Sequence, residues 1–427
     1  MEYLKEAPWK VRTRSDEVRR TVSEMLLAIE REGERAIRRY SRDLDGWDPP
    51  SFLVDHDEIR IAAHAISPSL LEHIAFAQEQ VRRFAQAQLD TMRDLELETL
   101  PGVTLGHRHI PVGRVGSYVP GGRYPMLASA FMTVVVPKVA GVRTVVACAP
   151  PRGNGIHPPM LHAMATSGAD AILCLGGVQA LAALAYGIED IPAADMIVGA
   201  GNAYVAEAKR QLFGEVGIDV LAGPTEVLVI ADDSADPRLI AVDLLGQAEH
   251  GPTSPAMLVT TSRALGVEVL AAIAELAPAW PTGEVAGHAW HDHGTVVVVD
   301  SHEEAIAQAD RIAPEHLEVQ VAEHQLGRYL DGLANYGSLF LGREATVAYG
   351  DKAVGTNHVL PTQGGARYTG GLWVGKFLKT CTYQRLTPEG TRRVAPAVAA
   401  ISHAEQFSGH ALTAELRLER IDEVYAR

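Results

Sequence analysis

Apolar positions in the first ninety residues recur at three- and four-residue intervals. Val18, Met25, Leu26 and Ile29 mark one face of a helix that Ser15 can cap. Ser67-Pro68 writes a second helix start, with proline at the first helical position, and the pattern runs on beyond Phe84. From about Val112 the texture changes. Short β-rich runs at 145–149, 171–175, 196–198 and 227–231 alternate with alanine-rich helical stretches such as 180–186. That spacing predicts βαβ units and a mainly parallel sheet. A second series of strands follows at 256–260, 295–299 and 338–341, and the last fifty or so residues read as helical and more charged. The fold class expected is α/β, with two sheet-bearing lobes and helical ends.

Composition narrows the possibilities. A chain of 427 residues, 47% hydrophobic and 21% charged, is ordinary globular material for two or three domains. The longest apolar stretch, 126–137, stops at Lys138 and is too short to span a bilayer. The N-terminal MEYLKEAPWK lacks the layout of a signal peptide. Cys148, Cys174 and Cys381 lie far apart with no C-x-x-C pair, which reads as reduced, buried thiols in a cytoplasmic protein. A formal charge of −15 argues against a nucleic-acid binder, and it means that an anionic substrate would need its own local cations.

Four segments carry candidate chemistry. In Asp243-Leu-Leu-Gly-Gln247-Ala-Glu-His250-Gly251, Gln247 and His250 share a helical face, and Gly251-Pro252 ends the helix. A neutral imidazole there suits zinc; the plainer reading is a surface histidine favoured by the helix dipole. Ala313-Pro314-Glu315-His316-Leu317-Glu318 could supply a general base with a water-orienting carboxylate, or be a solvated helix start. Gly350-Asp351 through Gly355, Asn357, His358 and Pro361-Thr362 makes a structured loop suited to a metal or substrate, or a plain loop. In His403-Ala-Glu405-Gln-Phe-Ser-Gly-His410 the last two ionisable groups are five apart, too far for a clean shared face.

In this order the four segments resemble the histidinol dehydrogenase family. The likeness extends to Tyr118-Val-Pro120-Gly121-Gly122, Leu175-Gly-Gly-Val-Gln179-Ala, Gly201-Asn202-Ala-Tyr-Val-Ala-Glu-Ala-Lys209 and Ala222-Gly223-Pro224-Thr225-Glu226, from about residue 110 to residue 417. The resemblance implies a zinc ion on Gln247, His250, Asp351 and His410. It implies a general base at His316, with Glu315 activating water for a second step. Thr225, His358 and Glu405 would contact substrate, and Tyr118, Gln179 and Asn202 would contact NAD. The family does not use a G-x-G-x-x-G turn, so its absence here is no objection. The implied reaction is a four-electron, NAD-linked oxidation of a primary alcohol through an aldehyde to a carboxylate. The implied architecture is two Rossmann-like parallel-sheet lobes with helical N- and C-terminal segments, in a homodimer that exchanges its C-terminal segments. Expected divisions are an arm at 1–20, a first lobe at 21–112 plus 225–372 with the metal and catalytic residues, an NAD-side lobe at 113–224, and a C-terminal helical segment at 373–427 reaching the partner.

Departures from the pattern bear on the substrate. Gly121-Gly122-Arg123-Tyr124-Pro125-Met126, followed by Val-Pro-Lys-Val-Ala-Gly-Val, is similar to the branch that oxidises 2,3-dihydroxypropane-1-sulfonate to sulfolactate, the sulfopropanediol 3-dehydrogenases, and Thr225 replaces the family's usual serine. A guanidinium forks onto sulfonate oxygens and repels a cationic amino alcohol; Arg123 could equally be a surface arginine or hold a cofactor phosphate. Ala200 stands where the family favours proline, which alters loop stiffness alone. His288, His291 and His293, in a glycine-rich loop, and His107 with His109 look like metal clusters but match no family position. The expected function is therefore oxidation of the sulfonated diol, with histidinol as the alternative substrate. A catalytically silent binding protein and a metal-dependent hydrolase are the readings from other classes. Retention of all four ligand types with Glu315-His316 weighs against the first, and the cofactor-side motifs weigh against the second.

Overall fold

The computed structural model describes residues 1–7, 15–122 and 124–425. In chain order the strands are β1 (Glu2–Lys5), β2 (Leu95–Leu100), β3 (Val103–Pro111), β4 (Arg114–Tyr118), β5 (Thr144–Ala149), β6 (Ala171–Cys174), β7 (Met196–Val198), β8 (Gly217–Ile218), β9 (Val227–Ala231), β10 (Ala256–Thr260), β11 (Gly294–Val298), β12 (His316–Gln320), β13 (Ser338–Leu341) and β14 (Leu378–Leu386). Two compact units hold them. Met1–Ala87 with Val112–Phe377 contains both parallel sheets, and Gln88–Pro111 with Leu378–Arg427 contains a small antiparallel one.

Within the first unit, one sheet has the order β6-β5-β4-β7-β8 and is parallel throughout. The chain begins at β4, steps outward through β5 to β6, then returns to the other flank through β7, so the winding reverses between β4 and β7. Ser15 caps the helix Asp16–Glu32, its Oγ accepting from the Val18 amide at 3.2 Å. That helix packs Val22, Met25, Leu26 and Ile29 into one apolar cluster with Leu173, Leu181 and Val205. Each such burial stabilises by roughly 1.5–3 kcal/mol.

The second sheet has the order β1-β11-β10-β9-β12-β13, parallel except for β1. Here the chain begins at β9, steps out through β10 to β11, and returns through β12, so the winding reverses between β9 and β12. Val227, Val229 and Ala231 face the helix Pro237–Ala248 through Ile240, Ala241 and Leu244, while Leu228, Ile230, Leu317 and Val319 line the opposite core.

The second unit is the sheet β14-β3-β2, antiparallel, with the helices Pro388–Ala404 and Ser408–Tyr425.

Against expectation, the helix start proposed around Pro314 is strand β12, and six further strands (β1, β2, β3, β4, β8, β14) occupy segments read as helical or left unassigned. The proline before Glu315-His316 resembles a helix start and competes with the strand alternation that begins at His316. The final fifty residues open on β14 before turning helical. Cys148 and Cys174 are buried as expected, but Cys381 is exposed because it lies on β14, whose residues are largely uncovered. His288, His291 and His293 belong to the helix Gly283–His293 rather than to a loop. Among the described residues no helix is long and apolar enough to cross a membrane.

Candidate active site

The helix Pro237–Ala248 places Gln247, buried, in its last turn, and His250 lies just past the Glu249 cap rather than on the helix. Beside it, β12 begins at His316, which is 2% exposed, with Glu315 immediately before it. The loop that enters β9 contributes Thr225 and Glu226. It is tied to the 355–363 loop by Gly223 N donating to Thr362 Oγ1 at 2.6 Å and Gln363 N donating to Glu226 Oε1 at 2.9 Å. The short helix Val347–Lys352 presents Asp351. A side chain at Gly350 would collide with the His358 ring, so glycine there lets that imidazole lie across the helix.

These elements surround one carboxylate with three imidazoles. Asp351 Oδ1 accepts from His358 Nδ1 at 2.7 Å and stands 3.9 Å from His316 Nε2, while Oδ2 is 4.0 Å from His250 Nε2. Burial alone would raise the Asp351 carboxyl, but the His358 hydrogen bond and the fields of His358, His316 and Lys352 hold it well below the usual carboxylate range. The His316 and His358 rings lie 5.2 Å apart between centroids, tilted by 34° to each other. Among the described residues His316, Asp351 and His358 bring their ligand atoms within 4.8 Å of one another.

The proton positions follow from the partners. The Glu226 carbonyl can only accept, so His316 Nδ1, 3.0 Å away, carries the hydrogen and donates it. Nε2 is then an unprotonated acceptor, buried and without a hydrogen-bond partner. Burial, reinforced by His358, pushes the His316 imidazole down to about 3, and burial also lowers His250, so both rings are neutral. Glu315 is raised well above the ordinary value by burial, against the pull of hydrogen bonds from Thr225 Oγ1 at 2.5 Å and Glu226 N at 3.0 Å. Thr225 in turn accepts from Gln247 Nε2 at 2.5 Å, so its hydroxyl bridges Gln247 and Glu315.

Across the chain, the match is to the histidinol dehydrogenase family model over residues 10–418. The chain belongs to the histidinol dehydrogenase family. It is 53% identical over 403 residues to a histidinol dehydrogenase homolog of Shouchella clausii, covering 94% of this chain and 95% of that one. It is 46% identical over 423 residues to the sulfopropanediol 3-dehydrogenase of Ruegeria pomeroyi, covering 98% and 97%. The crystal structure of histidinol dehydrogenase from Elizabethkingia anophelis superposes with a TM-score of 0.91 at 33% identity, covering 97% of this chain and 94% of that one. The protein is thus an oxidoreductase acting on CH–OH groups, in a family that is NAD-dependent and zinc-binding.

The residues present fit both groups. The neutral His250 imidazole, the Gln247 amide and the ionised Asp351 carboxylate are nitrogen and oxygen donors of the kind zinc takes, and the 4.0 Å gap between His250 Nε2 and Asp351 Oδ2 can close around an ion with ligand distances of about 2.0–2.2 Å. On the family pattern Gln247, His250 and Asp351 would hold it from the first unit. On the cofactor side, Tyr118 ends β4 and its hydroxyl accepts from Gly177 N at 3.3 Å. Gln179, 1% exposed, donates Nε2 to Asp45 Oδ2 at 2.8 Å. A carboxylate fixes that orientation and leaves the Gln179 Oε1 buried without a partner. Asn202 caps the helix Ala203–Leu212, accepting from Tyr204 N at 3.0 Å and Val205 N at 3.1 Å. All three stand beyond the carboxyl ends of β4, β6 and β7, where the winding reverses and a helix N-terminus is available, the setting that open α/β sheets offer a dinucleotide.

Arg123 lies outside the described residues. Glu405 and His410 belong to the second unit, Glu405 directly after the helix Pro388–Ala404 and His410 on the helix Ser408–Tyr425, both exposed. Sequence reasoning missed Glu226, Asp243, Glu318 and Gln320. The signal for the last two was present: His316-Leu-Glu318-Val-Gln320 alternates polar and apolar with the period of a strand.

Proposed function

We propose that the chain is a cytoplasmic, homodimeric, zinc- and NAD-dependent enzyme that oxidises 2,3-dihydroxypropane-1-sulfonate to sulfolactate in two hydride-removing steps. The observation that carries the chemistry is the His316 tautomer: Nδ1 is spent on the Glu226 carbonyl and Nε2 is free beside Asp351. Zinc held by Gln247, His250 and Asp351 would supply a Lewis acid for the substrate oxygen, and NAD beside Tyr118, Gln179 and Asn202 would supply the hydride acceptor. His316 Nε2 takes the hydroxyl proton in each oxidation. Glu315, whose proton affinity burial raises, takes a proton from the water that hydrates the aldehyde, and that water supplies the second carboxylate oxygen. His358 and Thr225 orient the substrate. In the homodimer, Glu405 and His410 would be contributed by the partner subunit's C-terminal segment, and their exposure suits residues offered to another chain.

The sulfonate substrate is supported by the Ruegeria pomeroyi relative and by Arg123, whose planar fork matches sulfonate oxygens. A second reading, histidinol to histidine, draws on the retained Glu405, a carboxylate suited to an amine. NADH formation with both alcohols decides. Sulfonate turnover with histidinol a poor substrate is expected, and Arg123→Ala should cost about 1.5–3 kcal/mol, roughly ten- to a hundred-fold in kcat/KM for the sulfonate. Efficient histidinol oxidation with no sulfonate turnover would sink the sulfonate assignment.

A further inference from the structure

Behind the His316 layer lies a second, wholly polar layer that the reaction does not use. Asp243 is one helical turn before Gln247, so it shares that helix face. Glu318 and Gln320 follow His316 at two-residue steps, so they share its face of β12. Gln320 Nε2 donates to both carboxylates, to Asp243 Oδ2 at 2.8 Å and to Glu318 Oε2 at 3.1 Å. The remaining oxygens reach the start of the helix that bears Asp351. Thr346 Oγ1 donates to Asp243 Oδ1 at 3.0 Å, and Val347 N donates to Glu318 Oε1 at 2.9 Å. Thr346 makes no side-chain cap of its own, so Glu318 satisfies that helix's first amide instead.

One acidic pair therefore fastens three backbone elements together. Each of them, one turn or one pleat away, presents a side chain of the site: Gln247, His316 or Asp351. The arrangement is a poor way to gain stability. Glu318 is fully buried against the half-buried Asp243 carboxylate, and Gln320 Oε1 is buried without a partner. Apolar side chains of similar volume on this face would be neutral or stabilising. What an apolar face would lack is the directional tie between the helix Pro237–Ala248, β12 and the helix Val347–Lys352.

We infer that Asp243 and Glu318 are positioning residues of the zinc site, setting the mutual placement of Gln247, His316 and Asp351 through hydrogen bonds to Gln320, Thr346 and the Val347 amide. The inference rests on the zinc reading proposed above. Partners behind metal ligands characteristically alter metal affinity about ten- to a hundred-fold when removed.

Zinc titration of the chelator-stripped enzyme against a chromophoric competitor, paired with thermal unfolding, separates positioning from mere structure. Glu318→Leu should bind zinc about ten- to a hundred-fold more weakly while its zinc-free melting temperature stays at or above that of the parent, and Glu318→Gln, which keeps the acceptor for Val347, should restore most of the affinity. Parental zinc affinity in Glu318→Leu overturns the inference. If Glu318→Leu does not fold, Thr346→Val decides: it removes one tie to Asp243, and zinc affinity several-fold weaker supports the inference whereas unchanged affinity overturns it. His250→Ala tests the foundation separately. If the parent binds no zinc, or His250→Ala retains it stoichiometrically, the zinc site itself is misassigned and the positioning role falls with it.

Discussion

In the five-stranded sheet the chain leaves β4, winds outward to β6 and returns through β7; in the six-stranded sheet it leaves β9, winds outward to β11 and returns through β12. Both reversals open a crevice at the carboxyl ends of the strands. In the first, β4 continues into Val119-Pro120-Gly121-Gly122 and β7 into Gly199-Ala-Gly201-Asn202, runs rich in glycine that carry no charged side chain. In the second, β9 continues into Asp232, whose Oδ2 accepts from Ala322 N at 3.0 Å and whose Oδ1 accepts from Ser234 N at 3.0 Å. That carboxylate bridges the loops after β9 and β12 and puts a negative charge at the mouth of the second crevice. The candidate reactive groups of the six-stranded sheet stand instead at its amino edge, with Thr225-Glu226 leading into β9 and Glu315-His316 at the start of β12. A winding reversal supplies a crevice, and the first residues beyond the strand decide whether it receives a ligand.

The largest expected effect comes from breaking the loop on the cofactor side. Lys209 and Asp219 are both buried; Lys209 Nζ donates to Asp219 and to the Gly199 and Val220 carbonyls at 2.8 Å each, and Asp219 Oδ2 accepts from Gly199 N at 2.7 Å. Gly199, at φ 117°, passes so close to the Tyr118 carbonyl that a side chain would collide with it. Lys209→Met strands a buried carboxylate and should lower unfolding free energy by about 3–5 kcal/mol. Denaturant unfolding measures this, and NADH binding should weaken with it. A loss below about 1 kcal/mol would show that the ion pair is not what holds the loop.

His316→Ala should lower kcat roughly 100-fold or more while fluorescence titration finds NADH affinity within about twofold of the parent. Equal damage to both would dissolve the division of labour between the two sheets.

How much of this was readable in the sequence depended on what each strand faces. β9 and β10 are covered on both sides and announce themselves as unbroken apolar runs. β12 is just as buried, yet His316, Glu318 and Gln320 face a polar layer assembled from three other segments, and a proline beside a Glu-His pair resembled a helix start. β2, β3 and β14 bury too little to carry a regular hydrophobic pattern. The motifs marked the segments that meet around Asp351, whereas the Asp351–His358 contact and the tautomer of His316 depend on loops meeting in space and have no local signature.

Asn202→Ala should act more mildly. Losing the cap of the helix Ala203–Leu212 costs about 1 kcal/mol, and a comparable loss at the cofactor raises KM for NAD roughly fivefold with kcat unchanged. Steady-state kinetics with NAD varied at saturating alcohol checks the split, and a fall in kcat alone would move Asn202 out of the cofactor contact.

The smallest effect concerns Asp232, the residue that closes the second crevice. Burial would raise its carboxyl, but the hydrogen bonds from Ser234 and Ala322 and the field of His302 more than offset this and hold it below the ordinary value. A carboxyl depressed in the folded state contributes stability that is present above its unfolded value of about 3.9 and is lost as pH falls through its folded value. Asp232→Asn has no such titration. The parent should therefore be more stable than Asp232→Asn near neutral pH, with the gap in denaturant midpoint narrowing as pH is lowered from 6 towards 3. NADH affinity should be the same in both if the dinucleotide binds, as proposed, on the other sheet. A gap that stays constant with pH would mean Asp232 is not held as the charged form. A second NADH site appearing in Asp232→Asn would show that this one carboxylate is what closes the second crevice to a dinucleotide.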